Sequence, residues 1–511
     1  MKSGKRMSLG RPLLWLATLG PVLFALMLAG QLKRHEIVAL IEEMFDGNAA
    51  ASLLAAALSA AGACALGVVL GRFLAGDRRG GGVMQFLLKV AILVPLALHP
   101  VFLGGVIASL CNAGPAPATG TAGTSLRWLL MTLSGSLSLA PMAGMVAFLV
   151  LRAIPTAEWN SACCMLTRFQ AWRRVIWPRL RQPMLLCLVA LTTWSAHDMI
   201  SPTHFGLETL ATRIGLEFQR SLDSALAAAA MLPLWLGLAG VVLIMARPLV
   251  RNGGRRPRMQ ALPASRPATL AAAGYAAVAV VLPGVVLGGR VEGFQLQQWL
   301  SKYQAEILNT VQLGLLVASM GAAVHVAGVI CRIRRDSILA TGSPIGNALQ
   351  LLALSLALCT PGLALGLMVS STAGAWPGVQ DSPLSIAALM LRALPAAVIL
   401  VMLTPVASAE RAVAAVHVSD RRRVRHVLSG PAGRGILVTA LVASALLFRE
   451  VEIQAAFPVP ETETLGVRAL QGLHYGLSNE AALPALLQGL VAVIWSLLLV
   501  RTLQRREPRH G

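Results

Sequence analysis

Runs of about 20 apolar residues alternate with short polar, proline-bearing or arginine-bearing segments along the 511 residues. "LLWLATLGPVLFALMLAG", "LPLWLGLAGVVLIMA" and "LLALSLALCTPGLALGLMV" are of, or close to, the length a helix needs to cross a bilayer. Windows of that kind place about 12 helices, near 12–31, 50–72, 85–111, 128–152, 182–201, 225–247, 268–288, 306–331, 346–371, 384–405, 433–449 and 481–501. The third and ninth carry prolines (Pro95, Pro100, Pro361), which spanning helices tolerate when neighbours satisfy the freed carbonyls. The first run follows Lys2, Lys5, Arg6 and Arg11 as a signal peptide would. It is long and lacks a small-x-small cleavage site, so an uncleaved first span is expected.

Composition agrees with this all-α polytopic membrane fold. Hydrophobic residues are 56% and charged residues 13% of the chain, against about 25% charged in a soluble protein. The net charge of +21 would suggest nucleic acid for a soluble chain; here basic loops on the cytoplasmic side account for it, and no nucleic-acid partner is expected. With both termini in the cytoplasm, roughly 33 of the 43 Lys and Arg fall in or beside cytoplasmic segments. The seven cysteines are scattered without a CxxC pair, so neither a disulfide framework nor a metal site is expected.

The pattern repeats. Residues 208–213 read "ETLATR" and residues 463–468 read "ETLGVR". Around them the landmarks keep one order: a proline then a glycine in the third and ninth spans, Pro155 and Pro405 closing the fourth and tenth, and a basic loop ending at Pro178 or Pro431. A duplication follows, with a first half at 1–247, a basic linker at 248–267 and a second half at 268–511. Six spans per half give two parallel repeats related by an axis along the membrane normal.

The longest structured cytoplasmic loops, 155–181 and 405–434, lie between spans four and five of each half. In the first, Trp159, Cys163, Leu166 and Phe169 recur at helical spacing, with Arg168, Arg173 and Arg174 largely off that stripe. The second repeats the plan with Ala409, Val413 and Val416, then Ser419 and Asp420 as a helix start before an arginine run. Two readings stand: interfacial helices with arginines on anionic headgroups, or a docking surface for two copies of one partner.

On these residues the chain resembles the membrane subunit of binding-protein-dependent ABC importers, in the subgroup with two fused permease halves, as in ferric-iron and thiamine transporters. The family's loop signature runs Glu-Ala-Ala, three residues, Gly, then on to a proline. Glu158 and Pro178 bracket one version here, Glu410 and Pro431 the other, while Trp159-Asn160 and Arg411-Ala412 replace the alanines and no glycine stands at the centre. The resemblance implies coupling helices that dock into two ATP-binding subunits, an extracytoplasmic solute-binding protein, and a bacterial inner-membrane location. It also implies that the chain binds no cofactor and that ATP is hydrolysed by the partners. The chain has no GxxxxGK[ST] loop of its own, and no HExxH or GxSxG, so an enzyme is not expected.

Polar groups inside spans are costly and mark a possible translocation path. His99 and His325 lie in apolar runs, where a bond to a neighbouring helix carbonyl is the plainer reading. His197 and Asp198 in "SAHDM", and Arg449, Glu450 and Glu452 in "FREVE", stand at corresponding outer helix ends, as gate residues or simply as solvated termini. Arg392, two turns into the tenth span, would have to snorkel or face a wet cavity if uncompensated; an anionic substrate or a counter-ion such as Asp198 would also account for it. Two alternatives to the importer remain: an ion-coupled secondary carrier and a permease-like scaffold.

Overall fold

A computed structural model of the chain describes residues 47–77, 82–111, 121–152, 154, 156–221, 235–237, 239–242, 262–263, 266–291, 296–333, 356–357, 360, 362–375, 381–403, 431–474 and 479–504. The first expected span, most of the sixth, much of the ninth and most of the linker lie outside these residues. So does most of the second cytoplasmic loop, with Glu410, Val413 and Asp420; Pro431 is the first residue of the helix that follows it.

The described residues are helical apart from a two-residue parallel bridge between Gly76–Asp77 and Leu262–Pro263. In chain order the helices are α1 (Gly47–Ala75), α2 (Gly82–Leu93), α3 (Pro100–Leu110), α4 (Thr121–Arg152), α5 (Thr156–Met165), α6 (Trp177–Ala196), α7 (Ile200–His204) and α8 (Leu210–Ser221). They continue with α9 (Arg266–Gly288, through a π-helical turn), α10 (Gln304–Ile333), α11 (Gly362–Ala375) and α12 (Asp381–Leu403). The last are α13 (Pro431–Arg449), α14 (Glu452–Ala456), α15 (Leu465–His474) and α16 (Asn479–Gln504). Among the described residues six helices are long and apolar enough to cross a membrane, or seven if α2 and α3 form one bent span.

That bend comes from the prolines. Val94–Ala97 tightens into a 3-10 turn with Pro95 near its start, and Leu98 and His99 are extended before α3 begins at Pro100. Proline forces the residue before it out of the helical region, and its missing N–H costs nothing at a helix start. The His99 ring accepts the Val101 N–H, capping α3. The two pieces meet at 98°.

Small residues set the closest helix pair. A Cβ added at Gly67 or Gly71 of α1 would collide with Ala143, Gly144 or Ala147 of α4, and one at Gly62 with Ser136. Lipid offers no hydrophobic gain for helix association, so such backbone-to-backbone packing supplies the contact. Gly314 and Gly321 of α10 meet Phe448 and Ala443 of α13 in the same manner. The helix at the second expected span packs against those at the fourth and fifth, α1 on α4 and α6, and the helix at the eighth packs against those at the tenth and eleventh, α10 on α12 and α13.

The hexapeptides dock alike. Leu210 N donates to Ser52 Oγ of α1 at 3.2 Å, and Leu465 N donates to Thr310 Oγ1 of α10 at 2.9 Å. Each bond satisfies an N–H at the start of a helix (α8, α15), where no carbonyl within the helix can reach it.

Candidate functional site

Helices of the N-terminal stretch (47–221) and of the C-terminal stretch (266–504) meet along a seam, and one cavity opens there, about 60 Å³ in volume. Its walls come from α1, the α2–α3 break, α4, the α6 end with α7, α12, and the α13 end with the start of α14. On α1 it lies beside Ser52, Ala56 and Ser59, within roughly 18 Å of the helix end that the charge pattern places outside.

Four of the five residues picked out from the sequence as a possible path line this cavity: His99, Asp198, Arg392 and Glu450. His325 does not. It is buried in α10 with Nδ1 2.7 Å from Thr439 Oγ1 of α13, a helix–helix bond within the C-terminal stretch. Arg449 and Glu452, noted in the same motif as Glu450, complete the cavity's charged lining.

Each charge is held by a local feature. Asp198 follows the end of α6 and accepts the N–H groups of Ile200 and Ser201, both at 2.9 Å, and the Ser201 hydroxyl. Glu450, at the corresponding end of α13, accepts the N–H groups of Glu452 and Ile453 at 3.0 and 3.2 Å. Its other oxygen meets Arg392 Nε at 3.2 Å, with both side chains about nine-tenths buried. The counter-ion of Arg392 is therefore Glu450; Asp198, the partner suggested by the sequence, is not ion-paired to it. The Arg392 guanidinium also donates to Thr360 O and lies 4.4 Å from the Trp194 ring centroid. Arg449 reaches across the seam and donates to Leu98 O and Ser138 O, each at 3.1 Å, and to Pro95 O at 3.4 Å. Those carbonyls of the α2–α3 turn are available because the helix is broken there.

His99, Asp198 and Glu452 each offer an atom within 4.8 Å of the other two, a grouping of ligand type where the sequence led us to expect no metal residues. Sequence spacing could not show it, since three separate chain breaks bring these residues together. Trp194 was also missed. Gly362 was visible only as the glycine after the ninth-span proline; a methyl there would overlap the carboxylates of Glu450 and Glu452.

In the loop at 155–181 the helix ends earlier than the apolar stripe through Phe169 led us to expect. α5 ends at Met165, and Thr167 starts a new short helix at Arg168 with a reciprocal cap to Gln170. Thr167-x-x-Gln170 was the overlooked signal. The turn is made at Thr167 in extended geometry (φ −60, ψ 154), which explains how the loop manages without a central glycine. The break also splits the apolar stripe. Trp159 is 6% exposed and Leu166 partly buried, whereas Met165 and Phe169 are 87% and 73% exposed. Glu158 forms a two-pronged bond to Arg179 of α6 at 2.8 and 2.9 Å, one residue beyond Pro178 in the first turn of that helix. Arg72, in the last turn of α1, lies between the rings of Trp159 and Trp172 at 5.4 and 5.7 Å.

No family model matches the chain, and comparisons with curated proteins and with solved structures find no significant match to it.

Proposed function

We propose that the chain is the permease subunit of an importer driven by separate ATP-binding subunits. It is built as two like-oriented six-helix halves, with the substrate path along their seam and the loops at 155–181 and 405–434 as the docking points. One observation carries the reading: polar residues chosen from opposite halves of the sequence meet at a single cavity lined by both stretches. Intramembrane charge gathered at a junction of broken helices is the arrangement expected of a transport path. The matching dock of the two hexapeptides supports the duplication behind it.

At the cytoplasmic side, exposed Met165, Phe169 and Trp177 stand beside Arg168, Arg173 and Arg174. An apolar tip ringed by cations suits insertion into an acidic-edged groove of an ATPase better than bare solvent. Arg72 between Trp159 and Trp172 links that loop to α1, and α1 lines the cavity; a push on the loop thus has a packed route inward. The extracytoplasmic solute-binding protein and the bacterial inner membrane belong to the same proposal.

The test is affinity purification of the tagged chain from gently solubilised membranes. An ATP-binding subunit should be recovered with it and lost when residues 156–171 are deleted. Recovery of no ATP-binding protein from the intact chain would end this reading.

A second reading, an ion-coupled carrier, is favoured by the carboxylates of Asp198 and Glu452, which have no ion pair among the described residues. Flux in vesicles driven by an ion gradient without ATP would select it.

A further inference from the structure

Six ionisable side chains line the seam cavity: His99, Asp198, Arg392, Arg449, Glu450 and Glu452. Their formal charges do not cancel. Three carboxylates face two guanidiniums, and of these six side chains only Glu450 and Arg392 pair with each other. Arg449 gives its hydrogen bonds to neutral oxygens of Pro95, Leu98 and Ser138. Glu452, 7% exposed, lines the cavity and forms no ion pair among the described residues.

His99 supplies a separate observation. It is 6% exposed, and its Nδ1 accepts the Val101 N–H at 3.3 Å. Its Nε2 has no protein hydrogen-bond partner among the described residues, although the ring lines the cavity. Because Nδ1 accepts, the neutral ring carries its proton on Nε2. His99 is thereby a donor that orients a carboxylate or a water, and a poor ligand for a soft transition metal. The other atoms on offer are oxygens: the carboxylates of Asp198 and Glu452 and the hydroxyl of Ser59, whose own proton goes to Thr132 O at 3.2 Å. Carboxylate and hydroxyl oxygens suit hard cations. A charge surplus of one carboxylate selects a single positive charge.

We infer that the seam cavity binds one hard monovalent cation of the alkali-metal class, held by Asp198 and Glu452 and oriented by His99. The site is the cavity assigned above to the transport path, and cation binding there rests on that cavity being wet and reachable.

The test is equilibrium binding of radioactive sodium to the purified full chain in nanodiscs, at constant ionic strength with choline as the replacing ion. Saturable binding of one ion per chain is expected, lost in E452Q and in D198N. G362A keeps every charge but crowds the Glu450 and Glu452 oxygens, so it should weaken binding. Potassium and lithium are run as competitors, and manganese and zinc as separate probes. Absence of saturable binding of sodium, potassium or lithium overturns the inference. So does stoichiometric manganese or zinc binding that E452Q removes, or proton uptake at Glu452 with no alkali-ion dependence. No ATPase or flux enters this measurement, so its failure leaves the co-purification test of the permease reading intact, and the converse holds too.

Discussion

The ends of α6 and α13 occupy corresponding places in the two halves of the sequence and read "HD" and "RE". In both, the acidic residue does the same local job, accepting two backbone N–H groups of the turn that follows. The residue before it differs in kind. His197 turns back on its own helix, with Nδ1 2.7 Å from Thr193 O. Arg449 instead crosses the seam to three carbonyls of the N-terminal stretch. A shared turn thus holds the frame, and one long cation on one side ties the two stretches together and offsets one of the cavity's three carboxylates.

The largest effect is expected from breaking that clasp. Arg449→Met leaves the carbonyls of Pro95, Leu98 and Ser138 without their donor and the cavity's three carboxylates with Arg392 as their one cation among the described residues. Removing one side of a buried charge network costs about 3–5 kcal/mol. The variant should lose its monodisperse peak in size-exclusion chromatography or melt far below the parent. His197→Met, its counterpart, breaks only a bond within one helix and should shift melting much less. Equal losses in the two variants would remove the asymmetry.

The Arg392–Glu450 pair is the next lever. Each single change, Arg392→Met or Glu450→Gln, strands a charge that is about nine-tenths buried. The double variant strands neither, so its loss should be smaller than the sum of the two singles by about 1–3 kcal/mol. A double variant equal to that sum would mean the two groups act separately, and that Arg392 answers to the Trp194 ring and Thr360 O instead.

How much of this could be read in advance follows the range of the forces involved. The apolar runs act locally, so helices at α1, α4, α9, α10, α12 and α16 were legible, whereas 85–111 was read as one span that tolerates its prolines and is instead bent by 98° before Pro100. Four residues of the cavity lining were legible as well, because a charge in an apolar run stands out wherever it later points. Their partners were not. Glu450 lies 58 residues from Arg392, and nothing near either position distinguishes it from Asp198 as the counter-ion. The loop failed for a different reason. A stripe from Trp159 to Phe169 fits one helix by spacing, yet the Thr167–Gln170 cap starts a second helix, and a local cap overrides periodicity over so short a stretch.

Arg72→Ala examines whether the loop at 155–181 is tied to the rest as the seam corner at Arg449 is. Two cation–aromatic contacts at about 0.5–2 kcal/mol each would be lost from Trp159 and Trp172. A modest fall in melting temperature is expected, with faster protease cleavage at Arg168 and Arg173. Unchanged cleavage would mean that the loop holds its shape without α1, and the packed route from loop to cavity would fail.

The smallest effects decide whether the two halves are the same object. Ser52→Ala and Thr310→Val each remove the hydroxyl that accepts the first N–H of a hexapeptide helix, at Leu210 and Leu465. A single buried hydrogen bond of this kind contributes about 1 kcal/mol. The two variants should therefore lose similar, small amounts of stability, and the double variant should lose their sum, since the sites belong to different helix packs. Ser52 also lines the cavity whereas Thr310 does not. A duplicated frame with one specialised cavity predicts equal stability losses but a change in sodium binding for Ser52→Ala alone. Unequal melting shifts would argue that the hexapeptides dock by different means, and the likeness of their sequences would then have no structural counterpart.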